Sequence, residues 1–231
     1  MGEHYDIAVI GSGPAGQKAA IQAAKLGKRA VIIDRPHSVG GSCIQRGAIP
    51  SKTLREAVLY YTGFYHRHAY RAQEKKDLTM QDLMHRCETV VDNETRVVLR
   101  QLERNHVDLV EGEASFVDPH TLKISGNQKS LTADYFLIAT GTVPTRPDVV
   151  PFEDGLIIDA EGLATFSKLP RNLLVVGAGV IGTEYASILA LLDIEVTLID
   201  QRSQLLDFVD AEVSEALAYH LRDIGMTLYF D

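Results

Sequence analysis

The feature that most constrains this chain is a glycine pattern that occurs twice on one internal ruler. Gly11-Ser-Gly-Pro-Ala-Gly16 and Gly177-Ala-Gly-Val-Ile-Gly182 both read G-x-G-x-x-G. Gly177 follows Gly11, Gly182 follows Gly16 and Asp200 follows Asp34 by the same 166 positions. Each copy comes after an apolar run, Tyr5 to Ile10 or Leu173 to Val176, and opens a helix, the first through a small-residue stretch to Ala24 and the second over 183 to 192. Each meets an aspartate 18 positions after its last glycine, close to the spacing of about 20 found in dinucleotide-binding βαβ units. The residue types follow from the chemistry: Gly11 and Gly177 permit the tight turn, and Gly13 and Gly179 let backbone approach a pyrophosphate. Gly16 and Gly182 let the helix close on the strand. Asp34 and Asp200 are placed to accept from ribose hydroxyls, and Arg202 is near enough to pair with a 2'-phosphate instead.

Between the copies the chain shows further elements. Apolar positions 83, 84, 87, 90, 91, 97, 98 and 102 recur at helical spacing after Thr79 and Asp82, which are placed as a capping box, so a long amphipathic helix is expected from Met80. Segments 107 to 125 and 131 to 139 read as short strands of a β-meander, broken at Asp118-Pro119 and Gly126-Asn127. Four of the eight prolines (144, 147, 151 and 170) fall within 142 to 172, which places the domain connection there. The expected fold is α/β, with two Rossmann-like βαβ units, a β-meander and an incomplete second unit. Residues 1–150 form the first domain and 151–231 the second.

Composition narrows the function classes. A net charge of -8, without a basic stripe, gives no electrostatic footprint for nucleic acid. No apolar run reaches the 18 or so residues of a membrane span and the N-terminus lacks the blocks of a secretion signal, so a cytoplasmic protein is expected. Two cysteines, Cys43 and Cys87, make neither a disulfide framework nor a C-x-x-C pair, and Cys87 falls on the apolar stripe of the long helix, where a buried, inert thiol is expected. His66, His68 and His85 lack further ligands at a sensible spacing, so no metal is expected. The aromatic stretch from Tyr60 to Tyr65 reads as helix packing, with an interaction surface as the other reading.

The two fingerprints together with Gly40-Gly-Ser-Cys-Ile-Gln-Arg-Gly-Ala-Ile-Pro-Ser-Lys52 resemble the FAD/NAD-linked disulfide reductase superfamily, whose pattern is G-G-x-C-x-x-x-x-C-x-P-S-K. Ala139-Thr-Gly-Thr-Val-Pro144 and the G-x-G-x-x-G-x-E of Gly177 to Glu184 extend the likeness over nearly the whole chain. The resemblance implies FAD at the first fingerprint, with Gly41, Ser42, Thr140 and Gly141 contributing, and NAD(H) or NADP(H) at the second. It also implies a catalytic ion pair, Lys52 with Glu184, that joins the two repeats beside the flavin, and a homo-oligomer when the complete family chain is present.

One departure selects a branch. Cys43 stands at the first redox position, but the second position is Ala48, and one sulfur forms no intramolecular disulfide. This resembles the soluble pyridine nucleotide transhydrogenase branch, which passes hydride between nicotinamide cofactors through flavin. Glu103-Arg-Asn-His106, Val117-Asp-Pro-His-Thr-Leu122 and Glu184-Tyr-Ala-Ser-Ile188 add to that likeness. Cys43 then reads as a packing residue near flavin or a lone reactive thiol, and hydride transfer is expected to survive its loss. Two other readings are a dihydrolipoamide-dehydrogenase-like diaphorase and a non-catalytic dinucleotide-binding module. By the resemblance a family chain continues beyond position 231 with a further FAD wall and a dimerisation domain. Weak FAD binding and exposed apolar surface are therefore expected of these 231 residues.

Overall fold

The computed structural model describes residues 3–63, 79–126, 130–166 and 168–231. His66 and His68, and the aromatic stretch beyond Gly63, lie outside the described residues. The chain folds into two compact units, each discontinuous in sequence: 1–50 with 88–143, and 51–87 with 144–231.

In the first unit, β1 (Glu3–Ile10), α1 (Pro14–Lys25) and β2 (Ala30–Asp34) form the opening βαβ. β1 runs parallel to β2 and, on its other edge, parallel to β6 (Ser130–Ile138). The short α2 (Gly41–Gln45) and α3 (Ala48–Tyr61) follow β2, and then the 25-residue α4 (Met80–Arg104). Next come β3 (Asp108–Glu111), β4 (Ala114–Asp118) and β5 (Thr121–Ile124), which give the sheet order β3-β2-β1-β6-β5-β4. β4, β5 and β6 are antiparallel neighbours, the meander read from the sequence. β3 differs from that reading: it leaves the meander and pairs parallel with β2 at the far edge. Parallel neighbours need a long crossover, and α4 supplies it.

β2 shows why this unit holds together. Its residues Ala30 to Ile33 are all buried, as expected of a parallel strand covered on both faces. Alternation then divides them. Ala30 and Ile32 pack with Val9, Ala20 of α1 and Val98 and Leu102 of α4. Val31 and Ile33 pack with Tyr5, Ala8, Leu122, Ile124, Leu131 and Ala133.

In the second unit, β7 (Asn172–Val176), α5 (Val180–Ala190) and β8 (Glu195–Asp200) repeat the opening, and α6 (Ala211–Asp223) leads to β9 (Thr227–Phe230). The three strands are parallel in the order β7-β8-β9. One face is packed: Val196, Leu198, Leu173 and Val175 join Ile188 and Leu189 of α5 and Leu221 of α6. The other face shows Leu174, Val176 and Tyr229 to solvent, Val176 at 77% exposure. The same core takes in Leu54 and Val58 of α3 and Met80, Leu83 and Cys87 of α4. Cys87 is buried there.

The connection contains a 3-10 helix, Ala160–Thr165, whose first N–H groups are capped by the Asp159 carboxylate. No described helix is long and apolar enough to cross a membrane.

Candidate functional site

At both fingerprints the turn passes straight from strand to helix. Gly11 and Gly177 have φ near +106° and +109°, a left-handed conformation that glycine adopts without strain. A Cβ on Gly16 would overlap the Gly11 carbonyl oxygen, and one on Gly182 would overlap that of Gly177, so the third glycine is required by helix–strand contact in each copy. The helices opened by these turns carry no side-chain cap and no acidic residue in the first turn. α4 and α6 are capped, α4 by Thr79 with Asp82 and α6 by Asp210. The first N–H groups of α1 and α5 thus remain available to an anion, which is what a pyrophosphate needs.

In the first unit the turn opens onto a cleft of about 950 Å³, in the upper range for a small-molecule or cofactor site. Gly11, Gly13, Asp34, Gly41, Ser42, Thr140 and Gly141 line it, so seven residues singled out from the sequence come together. Gly16 lies behind them against Gly11. Cys43 also lines the cleft and is exposed. The size of the cleft, its glycine wall and its uncapped helix fit a dinucleotide such as FAD.

The two aspartates are held in different ways. Asp34 accepts from the Ser12 N–H at 2.7 Å and from the Ser12 hydroxyl through Oδ2, and from the Arg35 N–H at 2.7 Å through Oδ1. Asp200 accepts from the Ala178 N–H at 2.6 Å through Oδ2 and from the Arg202 N–H at 2.9 Å through Oδ1. It is then gripped by the Arg202 guanidinium, with Nη2 on Oδ2 at 2.6 Å and Nε on Oδ1 at 3.0 Å. That guanidinium holds the Asp200 carboxyl well below the usual carboxylate range. The Asp200 side chain is only 5% exposed, and Arg202 donates a further bond from Nη1 to Asp207 at 2.9 Å.

Within the second unit Lys52 Nζ pairs with Glu184 Oε1, each the fifth residue of its helix, α3 and α5. The lysine is largely exposed and the glutamate mostly covered, so the bond orients the side chains more than it stabilises the fold. Thr183, beside it, buries a hydroxyl oxygen that finds no hydrogen-bond partner among the described residues. The matching position of the first copy, Gln17, donates to the Ser12 carbonyl at 2.7 Å. Among the described residues no group of three or more His, Cys, Asp or Glu is placed to hold a metal.

Sequence reasoning missed Ser12, Gln17, Leu206 and Asp207. The 166-residue ruler continues past the aspartates in the structure, although the residue types at the matched positions differ. Val39 and Leu205 are both buried, and Gly40 and Leu206 both have positive φ. The Gly40 N–H donates to Ser12 Oγ at 3.1 Å, and the Leu206 N–H to the Ala178 carbonyl at 3.1 Å.

The comparisons with known proteins agree with this geometry. Residues 5–231 match the model of the pyridine nucleotide-disulphide oxidoreductase family. The chain is 49% identical, over 98% of its length, to a soluble pyridine nucleotide transhydrogenase from Mycobacterium bovis, of which it covers 50%. It is 38% identical, over 97% of its length, to one from Colwellia psychrerythraea, of which it covers 49%. The chain thus spans about half the length of the curated relatives it matches. Among solved structures, the HOCl-induced flavoprotein disulfide reductase RclA from Escherichia coli superposes with a TM-score of 0.83 at 27% identity, over 98% of this chain and 49% of that one. Two glycine turns on one ruler, a cleft of cofactor size and a family match over nearly every residue lead to one conclusion: the chain belongs to the pyridine nucleotide-disulphide oxidoreductase family.

Proposed function

We propose that this chain binds FAD in the cleft of its first unit and NAD(H) or NADP(H) at its second fingerprint, and that it serves hydride transfer between the two nicotinamide cofactors. The observation that carries the choice within the family is the single sulfur. Cys43 lines the cleft, position 48 is alanine, and the remaining cysteine, Cys87, is buried in the core of the other unit. A dithiol relay needs two sulfurs close enough to bond. Without one, electrons that enter at a flavin leave from the flavin, and a second nicotinamide is an acceptor that needs no thiol. The relatives named soluble pyridine nucleotide transhydrogenase support this reading.

FAD, when bound, supplies a carrier that takes up two electrons and a proton from one nicotinamide and returns them to another. The residues of the chain bind and orient. The N–H groups of Gly13 and of the first turn of α1 take the pyrophosphate, and Asp34, fixed by Ser12, accepts from the adenosine ribose. Gly41, Ser42, Thr140 and Gly141 shape the cleft wall. Gly177, Gly179 and Gly182 with α5 repeat the pyrophosphate role for the nicotinamide dinucleotide, with Asp200 and Arg202 at its adenosine end. To Lys52, held by Glu184, we assign the positive charge that favours the reduced flavin, a role that rests on the resemblance.

The test uses FAD-reconstituted protein, with hydride transfer from NADPH to an NAD+ analogue of shifted absorbance. Transfer is expected, and Cys43→Ser is expected to retain it with FAD still bound. Turnover of lipoamide or glutathione disulfide by the parent, or loss of transfer in Cys43→Ser without loss of flavin, would overturn the proposal in favour of a thiol-based reductase.

A further inference from the structure

At one matched position of the loop between β8 and α6, residue 207, a charged side chain stands where the first copy has a glycine, and that difference bears on cofactor choice. By the 166-residue ruler Asp207 stands where Gly41 stands in the first copy, and Gly179 where Gly13 stands. In the first copy the loop backbone closes directly over the turn: a Cβ on Gly41 would lie 2.6 Å from the Gly13 Cα. In the second copy the nearest atom to a Cβ on Gly179 would be Arg202 Nη2, at 3.9 Å. A guanidinium therefore occupies the approach to the second glycine that backbone occupies in the first copy.

At rest that guanidinium blocks the aspartate it grips. A carboxylate offers about four acceptor sites. On Asp200 all four are taken, Oδ1 by the Arg202 N–H and Nε, and Oδ2 by the Ala178 N–H and Nη2. A ribose diol finds an acceptor only after Nε and Nη2 let go. Nη1 is bonded elsewhere, to Asp207 Oδ1. A guanidinium released from Asp200 keeps that tether and stays beside the ribose position. There it faces a 2'-hydroxyl with neutralised charge or a 2'-phosphate with the released Nε and Nη2, since guanidinium pairs well with phosphate. The loop itself is anchored, by the Leu206 N–H on the Ala178 carbonyl, by buried Leu205 and by the Ser214 hydroxyl on the Leu205 carbonyl.

We infer that Asp207 is a positioning residue that sets where Arg202 rests, and through it the balance between NAD(H) and NADP(H) at the second fingerprint. This rests on the proposed placement of the nicotinamide dinucleotide there. With Asp207 the guanidinium is shared between two carboxylates and yields Asp200 to an unphosphorylated ribose. Without Asp207 it is held by Asp200 alone, so it blocks the ribose acceptor more firmly and offers an incoming phosphate a charge that one carboxylate fewer offsets.

The experiment measures binding by calorimetry at low salt on the full chain, with FAD in excess so that the first site is filled. The probes are ADP-ribose and 2'-phospho-ADP-ribose. Asp207→Ala is expected to shift the affinity ratio toward the phosphorylated probe by about fivefold, the size of an exposed ion-pair coupling. Asp207→Glu is expected to restore the parent ratio, and Arg202→Ala to weaken the phosphorylated probe selectively. If the parent binds both probes and Asp207→Ala leaves their ratio unchanged, the role of Asp207 is overturned while the nucleotide site stands. If the parent binds neither probe, the placement at the second fingerprint fails and takes this inference with it.

Discussion

Asp34 and Asp200 sit at matched positions, yet one is satisfied by neutral donors and the other by a cation, and this gives the second unit an acid sensitivity. The Arg202 guanidinium, and to a smaller extent the N–H groups of Ala178 and Arg202, depress the Asp200 pKa in the folded state. A carboxyl depressed on folding contributes stability that is complete above the unfolded value near about 4 and is lost as pH falls through the folded value. Arg202→Gln removes the charge and leaves one donor nitrogen on the side chain, so the folded value rises toward the unfolded one. The acid unfolding midpoint of the second unit is expected at higher pH in Arg202→Gln than in the parent, read by circular dichroism during acid titration. Coincident acid transitions would contradict the assignment. At this scale the glycines, both aspartates and Arg202 were legible, because their spacing is a covalent property of the chain. Ser12, Gln17 and Asp207 were not, because their partners lie 5 to 22 positions away across loops whose path only the fold determines.

Among the elements, the helix termini divide by use. α1 and α5 begin uncapped at the glycine turns, while α4 begins with a closed box in which the Thr79 hydroxyl and N–H both donate to Asp82 Oδ2, at 2.6 and 3.0 Å. The Asp82 N–H returns a bond to Thr79 Oγ1 at 3.2 Å. Removal of such a cap costs about 0.5–2 kcal/mol. Met80 and Leu83, the first apolar residues after the cap, are buried in the core of the second unit. Thr79→Ala is therefore expected to lower the unfolding free energy by an amount in that range, read as a lower urea midpoint with the m-value unchanged, and an unchanged midpoint would show that packing alone fixes the start of α4. The sequence revealed this helix and its cap because 25 residues carry many turns of apolar period. It did not reveal the position of β3, four residues long, since so short a strand shows almost no alternation and its partner is chosen by the crossover.

At the level of the whole molecule, the ruler of 166 residues showed two similar openings, and the structure has both. The membership of the two units was harder to read. Residues 51–87 follow the second unit although they precede most of the first, since Leu54, Val58 and Leu83 pack with Ile188 and Leu198. α3 and α4 each supply residues to both units, and a continuous helix carries no sequence mark where its allegiance changes. The sheets differ in one further respect. β1 and β2 have a hydrogen-bonded neighbour on each edge, whereas β7, among the described residues, pairs with β8 alone. Successive peptide groups of a strand present their N–H to opposite edges, so every second amide of β7 has no strand to bond. Deuterium uptake along 172–176 should therefore alternate, with fast amides between slow ones, while residues 196–199 of β8 exchange slowly throughout. Uniformly slow exchange across 172–176 would mean that something in solution, a second copy included, closes that edge.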